Sequence, residues 1–413
     1  MEQKQKNTLW TRDFTIITLG SMVSLLGSTL SGFAMSLMVL DRTDSTPLFA
    51  LYTILYMLPS ALAPMLAGPF LDRFSRKKTI YILDFITSGL FLIMTLVVMS
   101  GYFSYLFFAA MNILLGAIGG IYSVAYQSFY PLTITEGNFQ RAYAVDSTLE
   151  TLSAVMVPVS TFVYKTFGIV PLFMANCLTY LLAAIMETQL KTPEKYTKEA
   201  REGPKGLGRF TRDFREGMSY LFAEKGLLAI AVYFFFSSIT GGVTGVVTLP
   251  YFRSAFENGE YVYMLVWGMG TAARVIGGII HYRLKIPAKY KYGITLVVYV
   301  LTALFEGIYL YLPVPAMMAL CFASGILGMT SYNIRISATQ RYVPDERKGR
   351  FNGAFGTLNT VGSIIGEAAA GVMSLFLAER PMVTAVEAMV LVAALVIIGG
   401  NKKEISRVYS VEE

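Results

Sequence analysis

The chain has 413 residues, 54% of them hydrophobic and 15% charged, with a formal net charge of +7 and a mean hydropathy of +0.54. Soluble domains carry about 25% charged residues, so the composition excludes an ordinary soluble protein, a disordered chain and a fibre. It describes a polytopic helical membrane protein with short loops. The two cysteines, Cys177 and Cys321, sit in apolar runs without metal or redox spacing, and His281 is the single histidine. That is too little for a zinc site or a Ser/His or Cys/His nucleophile, so no cofactor, no metal and no enzymatic activity are expected. The basic balance fits the cytoplasmic face of a membrane rather than nucleic acid. The first apolar run is too long for a cleavable leader.

Twelve apolar segments follow, at 13–41, 47–70, 79–100, 102–133, 139–166, 169–189, 222–250, 260–282, 291–311, 313–340, 349–378 and 381–400. Each is long enough to cross about 30 Å of hydrocarbon. The predicted class is therefore an all-α membrane protein with twelve transmembrane helices. An even number of spans places both termini on one side. With the termini cytoplasmic, 27 of the 34 lysines and arginines fall inside and 4 outside, as the positive-inside rule requires. The polar, weakly periodic stretch 191–215 reads as a cytoplasmic linker, dividing the chain into six-helix bundles at 1–190 and 216–413.

Ionisable groups at membrane depth are functional candidates. The first segment carries Ser21, Ser24, Ser28 and Ser31 on one face, a pattern that either lets helices pack closely or lines a wet cavity. The third carries Asp84. The fourth carries Asn112, Tyr126 and Gln127, which are candidates to line a cavity. On the fifth, Asp146 and Glu150 are four apart and share a face. Two carboxylates one turn apart in a low dielectric do not both ionise easily, the property a proton-coupled carrier needs. The eighth holds Arg274, which should have a partner. The tenth holds Ser331 and Arg335, the latter able either to meet an anionic substrate group or to neutralise an inner carboxylate. The eleventh holds Asn359 and Glu367, a further coupling candidate.

The halves repeat weakly at an offset of about 210 residues: Gly68 to Arg73 after the second segment matches Gly278 to Arg283 after the eighth. The loop Gly68-x3-Asp72-Arg73-x2-Arg76-Lys77-Lys78, followed by Asp84, Pro131 and Arg141-Ala142, resembles the signature of the major facilitator superfamily, in the branch with macrolide-efflux and enterobactin-exporter proteins. Where that superfamily's antiporter pattern has Gly-Pro, this chain reads Val157-Pro158.

The resemblance implies two pseudo-symmetric six-helix bundles and alternating access. It implies export of an amphipathic or drug-like small molecule from the cell, with the third, ninth and twelfth spans peripheral. There Asp84, Glu306 and Glu387 would pair structurally. A cytoplasmic latch would use Gly68, Asp72, Arg73, Glu136, Asp345 and Glu346, with Asp72 facing the eleventh span. With no phosphate-binding loop in the chain, protons are the expected driving ion. A monomer in the lipid bilayer of the plasma membrane is expected. The alternatives are export or flipping of a siderophore or lysophospholipid, and a membrane receptor that has lost transport.

Overall fold

The computed structural model describes residues 8–71, 74–136, 138–194, 207–283 and 286–410. Apolar segments fold as helices here because hydrocarbon offers no partner to backbone N–H and C=O groups. The helices are α1 Arg12–Thr43, α2 Thr46–Leu71, α3 Arg76–Met99, α4 Tyr105–Phe129, α5 Phe139–Phe167, α6 Ile169–Glu187, α7 Leu207–Ala223, α8 Lys225–Ala255, α9 Gly259–Arg283, α10 Ala288–Ile308, α11 Val314–Tyr342, α12 Asp345–Met373, α13 Glu379–Ala393 and α14 Lys402–Tyr409. Short hydroxyl side chains start several of them. Thr11, Ser75 and Ser104 accept from the backbone N–H of Phe14, Lys78 and Phe107 at 3.2, 3.2 and 3.4 Å, using donors the first turn leaves open.

Among the described residues, ten helical stretches are long and apolar enough to cross a membrane. The predicted fifth and eleventh segments, α5 and α12, are not among them although each runs 29 residues. These two helices carry Asp146 with Glu150 and Glu367 with the basic run at 347–350, and those charges lower their apolar content.

Residues 207–215, read from the sequence as linker, are the first turns of α7. Phe214, Gly217, Met218 and Leu221 recur at helical spacing within a charged stretch, an amphipathic pattern of surface helices. Leu221 is fully buried, and Glu216 pairs with Arg350 at 2.6 Å. The helix α14 was likewise not expected; its Ile405, Val408 and Tyr409 are buried.

Residues 1–44 and 55–209 form one unit, and residues 45–54 and 210–413 a second. In the first, α6 packs on α1 and α3, with α5 against α1 and α4 against α3. Its core gathers Phe14, Ile17, Ile80, Phe129 and Tyr130. In the second, α8 packs on α12 and α13, and α11 on α9 and α10, around Ile230, Tyr233, Tyr299 and Phe355. At the α8–α12 crossing a Cβ on Gly366 would run into the Ile239 carbonyl, and one on Gly242 into the Ser363 carbonyl. Glycine on both helices lets the backbones touch. Side chains such as Leu106 and Phe376 stand about four-fifths exposed, as lipid-facing positions do.

Candidate functional site

In the first unit, the α4 tyrosines stack in series, Tyr122 on Tyr126 and Tyr126 on Tyr130, with centroids 6.1 and 5.1 Å apart. The stack holds the Tyr126 hydroxyl against α5, where it donates to Asp146 at 3.1 Å and accepts from Ser21 at 3.3 Å. Asp146 thus belongs to a hydrogen-bonded link between α1, α4 and α5. Tyr126→Phe removes the donor and should lower stability by about 1–2 kcal/mol, read as a drop in Tm in detergent, whereas Tyr102→Phe, at an exposed ring, should not. Asn112 is buried. Gln127 is exposed and donates to Ser123 at 3.1 Å, so it stands apart from Tyr126. The side chain of Glu150 lies outside the described residues.

The serines of α1 face the other helices of this unit. Ser24 donates to Asp84 at 3.5 Å, Ser31 to the Leu172 carbonyl at 3.5 Å, and Ser28 hydrogen-bonds the Tyr180 hydroxyl. Asp84, 1% exposed, lies beside Glu187 of α6, which is 0% exposed. Gly20 leaves room for the Glu187 carboxyl. The sequence reading assigned Asp84 a structural partner without identifying it. Glu187 is not among the residues the sequence singles out; the small residue at Gly20 beside the serine face is the available signal.

In the second unit, Glu306 and Glu387 likewise lie beside each other, on α10 and α13. Arg274 is exposed on α9, and Glu306 is within reach of its charge. Glu367 is half-buried in the last third of α12. It faces Thr53 of α2, and its Oε2 is buried with no donor. Asn359, on the same helix, has a buried, unpartnered Oδ1. His281 meets the Thr330 hydroxyl at 2.7 Å.

Arg335 of α11 lies over the rings of Phe234, Phe355 and Tyr332, at 4.8, 4.9 and 5.6 Å from their centroids. Of the two roles open to Arg335, neutralising an inner carboxylate has no partner among the described residues. The aromatic setting was not legible because it comes from three helices. Ser331 lies one turn away, beside Tyr299.

Of the latch residues, Asp72 and Arg73 lie outside the described residues, as do the surroundings of Gly68 and the side chains of Asp345 and Glu346. Glu136 is exposed in the turn before α5. The neighbouring basic residues have specific partners. Arg76 donates to the Ser128 carbonyl at 3.1 Å, and Lys77 to the carbonyls of Leu190 and Thr192 at 3.5 Å. Asp13 accepts from the backbone N–H groups of Lys191 and Thr192 at 2.9 and 2.6 Å. The ends of α1, α3 and α6 are tied together there.

A model of the Major Facilitator Superfamily matches residues 17–367. An uncharacterized MFS-type transporter of Bacillus subtilis (strain 168), YkuC, is 25% identical over 292 residues. That match covers 66% of this chain and 66% of the relative, so the chain spans just under two thirds of that relative's length. Macrolide efflux protein A of Streptococcus pyogenes is 23% identical over 284 residues, 67% of each chain. Among solved structures, the nucleoside transporter NupG superposes with a TM-score of 0.64 at 13% identity, over 94% of this chain and 98% of that one. A bacterial homologue of the iron transporter ferroportin, in its inward-facing state, gives 0.69 at 14% identity, over 97% and 99%. The family match covers most of the sequence, and these folds agree with the row of apolar helices: the chain belongs to the Major Facilitator Superfamily.

Proposed function

We propose that this protein is a secondary carrier that exports an amphipathic small molecule across the plasma membrane by alternating access, driven by protons. In this reading α5 and α12 complete a set of twelve spans, and they are the less apolar spans because they carry the groups that move protons. The observation that carries the reading is Glu367: a carboxyl in a spanning helix with one oxygen buried and no donor, a costly placement that function explains. Glu150 and Asp146 are the further coupling candidates, and Asn112, Tyr126, Gln127, Arg274, Ser331, Arg335 and Asn359 the residues proposed to serve the substrate. The macrolide-efflux relative supports the direction. The test is flux in proteoliposomes under an imposed pH gradient, screened over amphipathic compounds. Uphill accumulation that collapses with a protonophore is expected; flux indifferent to the gradient overturns proton coupling.

Both termini are proposed to be cytoplasmic. Single cysteines at Ser219 and Glu257, both exposed positions, in a chain stripped of Cys177 and Cys321, test this in intact cells. An impermeant maleimide should label position 257 and leave 219 unlabelled until the membrane is opened. The reverse pattern overturns the orientation.

A further inference from the structure

Arg335 is a cation held inside a helical membrane unit with no carboxylate to answer it among the described residues. Removing a guanidinium from water is costly, and the three rings around it recover part of that cost by cation–π attraction. Aromatic faces offer no strong acceptor, however, so the N–H fork remains unused. The Arg335 Nε is buried without a partner. Two hydroxyls share the setting: Tyr299 of α10, 2% exposed, and Tyr409 of α14, 1% exposed. They lie close to each other, to Ser331 and to the Arg335 charge.

Three groups able to donate, one of them a cation with an unpartnered Nε, thus converge from α10, α11 and α14. What they lack in common is an acceptor that takes several donors at once, and a negatively charged oxyanion is such an acceptor. The phenylalanines beside it, Phe234 and Phe355, make its surroundings apolar, Phe234 being only partly buried. Arg335 stands seven residues before the end of α11, on the order of 10 Å along the helix axis.

We propose that Arg335, Tyr299 and Tyr409 form an anion pocket that takes the phosphate, sulfonate or carboxylate head of an amphipathic ligand whose apolar part lies on Phe234 and Phe355. The proposal rests on the carrier reading above and narrows its substrate class to anionic amphiphiles. A planar fork suits such a head better than a point charge, so lysine is not an equivalent replacement.

The test is ligand binding to the purified full-length protein in a non-ionic detergent, by thermal shift and by displacement. Three probes are used: n-dodecyl phosphate, n-dodecyltrimethylammonium and inorganic phosphate. Dodecyl phosphate should bind at least tenfold more tightly than either of the others. Arg335→Gln should weaken it at least tenfold, Arg335→Lys by less, and Tyr409→Phe severalfold. Tyr409→Phe removes one hydroxyl from a terminal helix and keeps the test informative if Arg335→Gln does not fold. Equal binding of the phosphate and ammonium probes, or wild-type binding of dodecyl phosphate by both Arg335→Gln and Tyr409→Phe, overturns the pocket. Inorganic phosphate binding as tightly as dodecyl phosphate overturns the amphipathic ligand class. Because binding needs no gradient, dodecyl phosphate bound without any pH-driven flux sinks the carrier reading alone, and proton-driven flux without dodecyl phosphate binding sinks the pocket alone.

Discussion

Glu367→Gln is expected to abolish uphill transport while leaving exchange intact. Glutamine has the shape of a protonated glutamate, so the packing at the end of α12 and the approach to Thr53 are retained. It cannot release a proton. A carrier that moves substrate against its gradient must load and unload its proton in each cycle, whereas exchange of substrate for substrate needs no net proton movement. Accumulation under a pH gradient should fall at least tenfold, about 1.4 kcal/mol or more of lost driving force, and counterflow should remain within severalfold of wild type. Paired measurement with Glu150→Gln separates the two candidates. If both variants accumulate substrate as well as wild type, coupling through these carboxyls is wrong. A variant with a lower Tm and full accumulation assigns Glu367 a structural role.

Gly366→Val should be the most damaging single change to the fold of the second unit. The backbones of α8 and α12 touch where Gly366 meets the Ile239 carbonyl. Backbone cannot rotate out of the way as a flexible side chain does, so the helices must separate. Overpacking of this kind costs about 1–3 kcal/mol, and the loss of nearby α8–α12 packing adds to it. The expected result is a Tm drop of several degrees or failure to purify as a monodisperse species. Gly353→Ala is the control. It lies on the same helix with open space around it, where alanine should be neutral or stabilising by up to about 1 kcal/mol. Equal behaviour of the two variants would show that the close crossing is not formed.

The apolar helices were legible from the sequence because twenty-residue apolar runs leave few alternatives, and their observed ends fall within several residues of those expected. The helix α7 was hidden by its charges: its apolar stripe is one residue wide per turn, and a reading by average polarity sees only a linker. The functional groups divide in the same way. Glu367, Asp146 and Arg335 were visible because a charge in an apolar run is conspicuous. Glu187 was not, since it stands where a run ends and boundary residues are ordinarily charged. Partners were the least legible. That Asp84 meets Glu187, or that Arg335 lies among Phe234, Phe355 and Tyr332, depends on helix rotation, which hydropathy does not encode.

The joint between α5 and α6 is one residue long. Gly168, at φ 78° and ψ −176°, turns the chain by a backbone conformation that residues with a Cβ rarely adopt. A connection this short has no slack. The last turn of α5 cannot shift without carrying the first turn of α6 with it, so the two ends move as one point while the angle between the helices is set at Gly168.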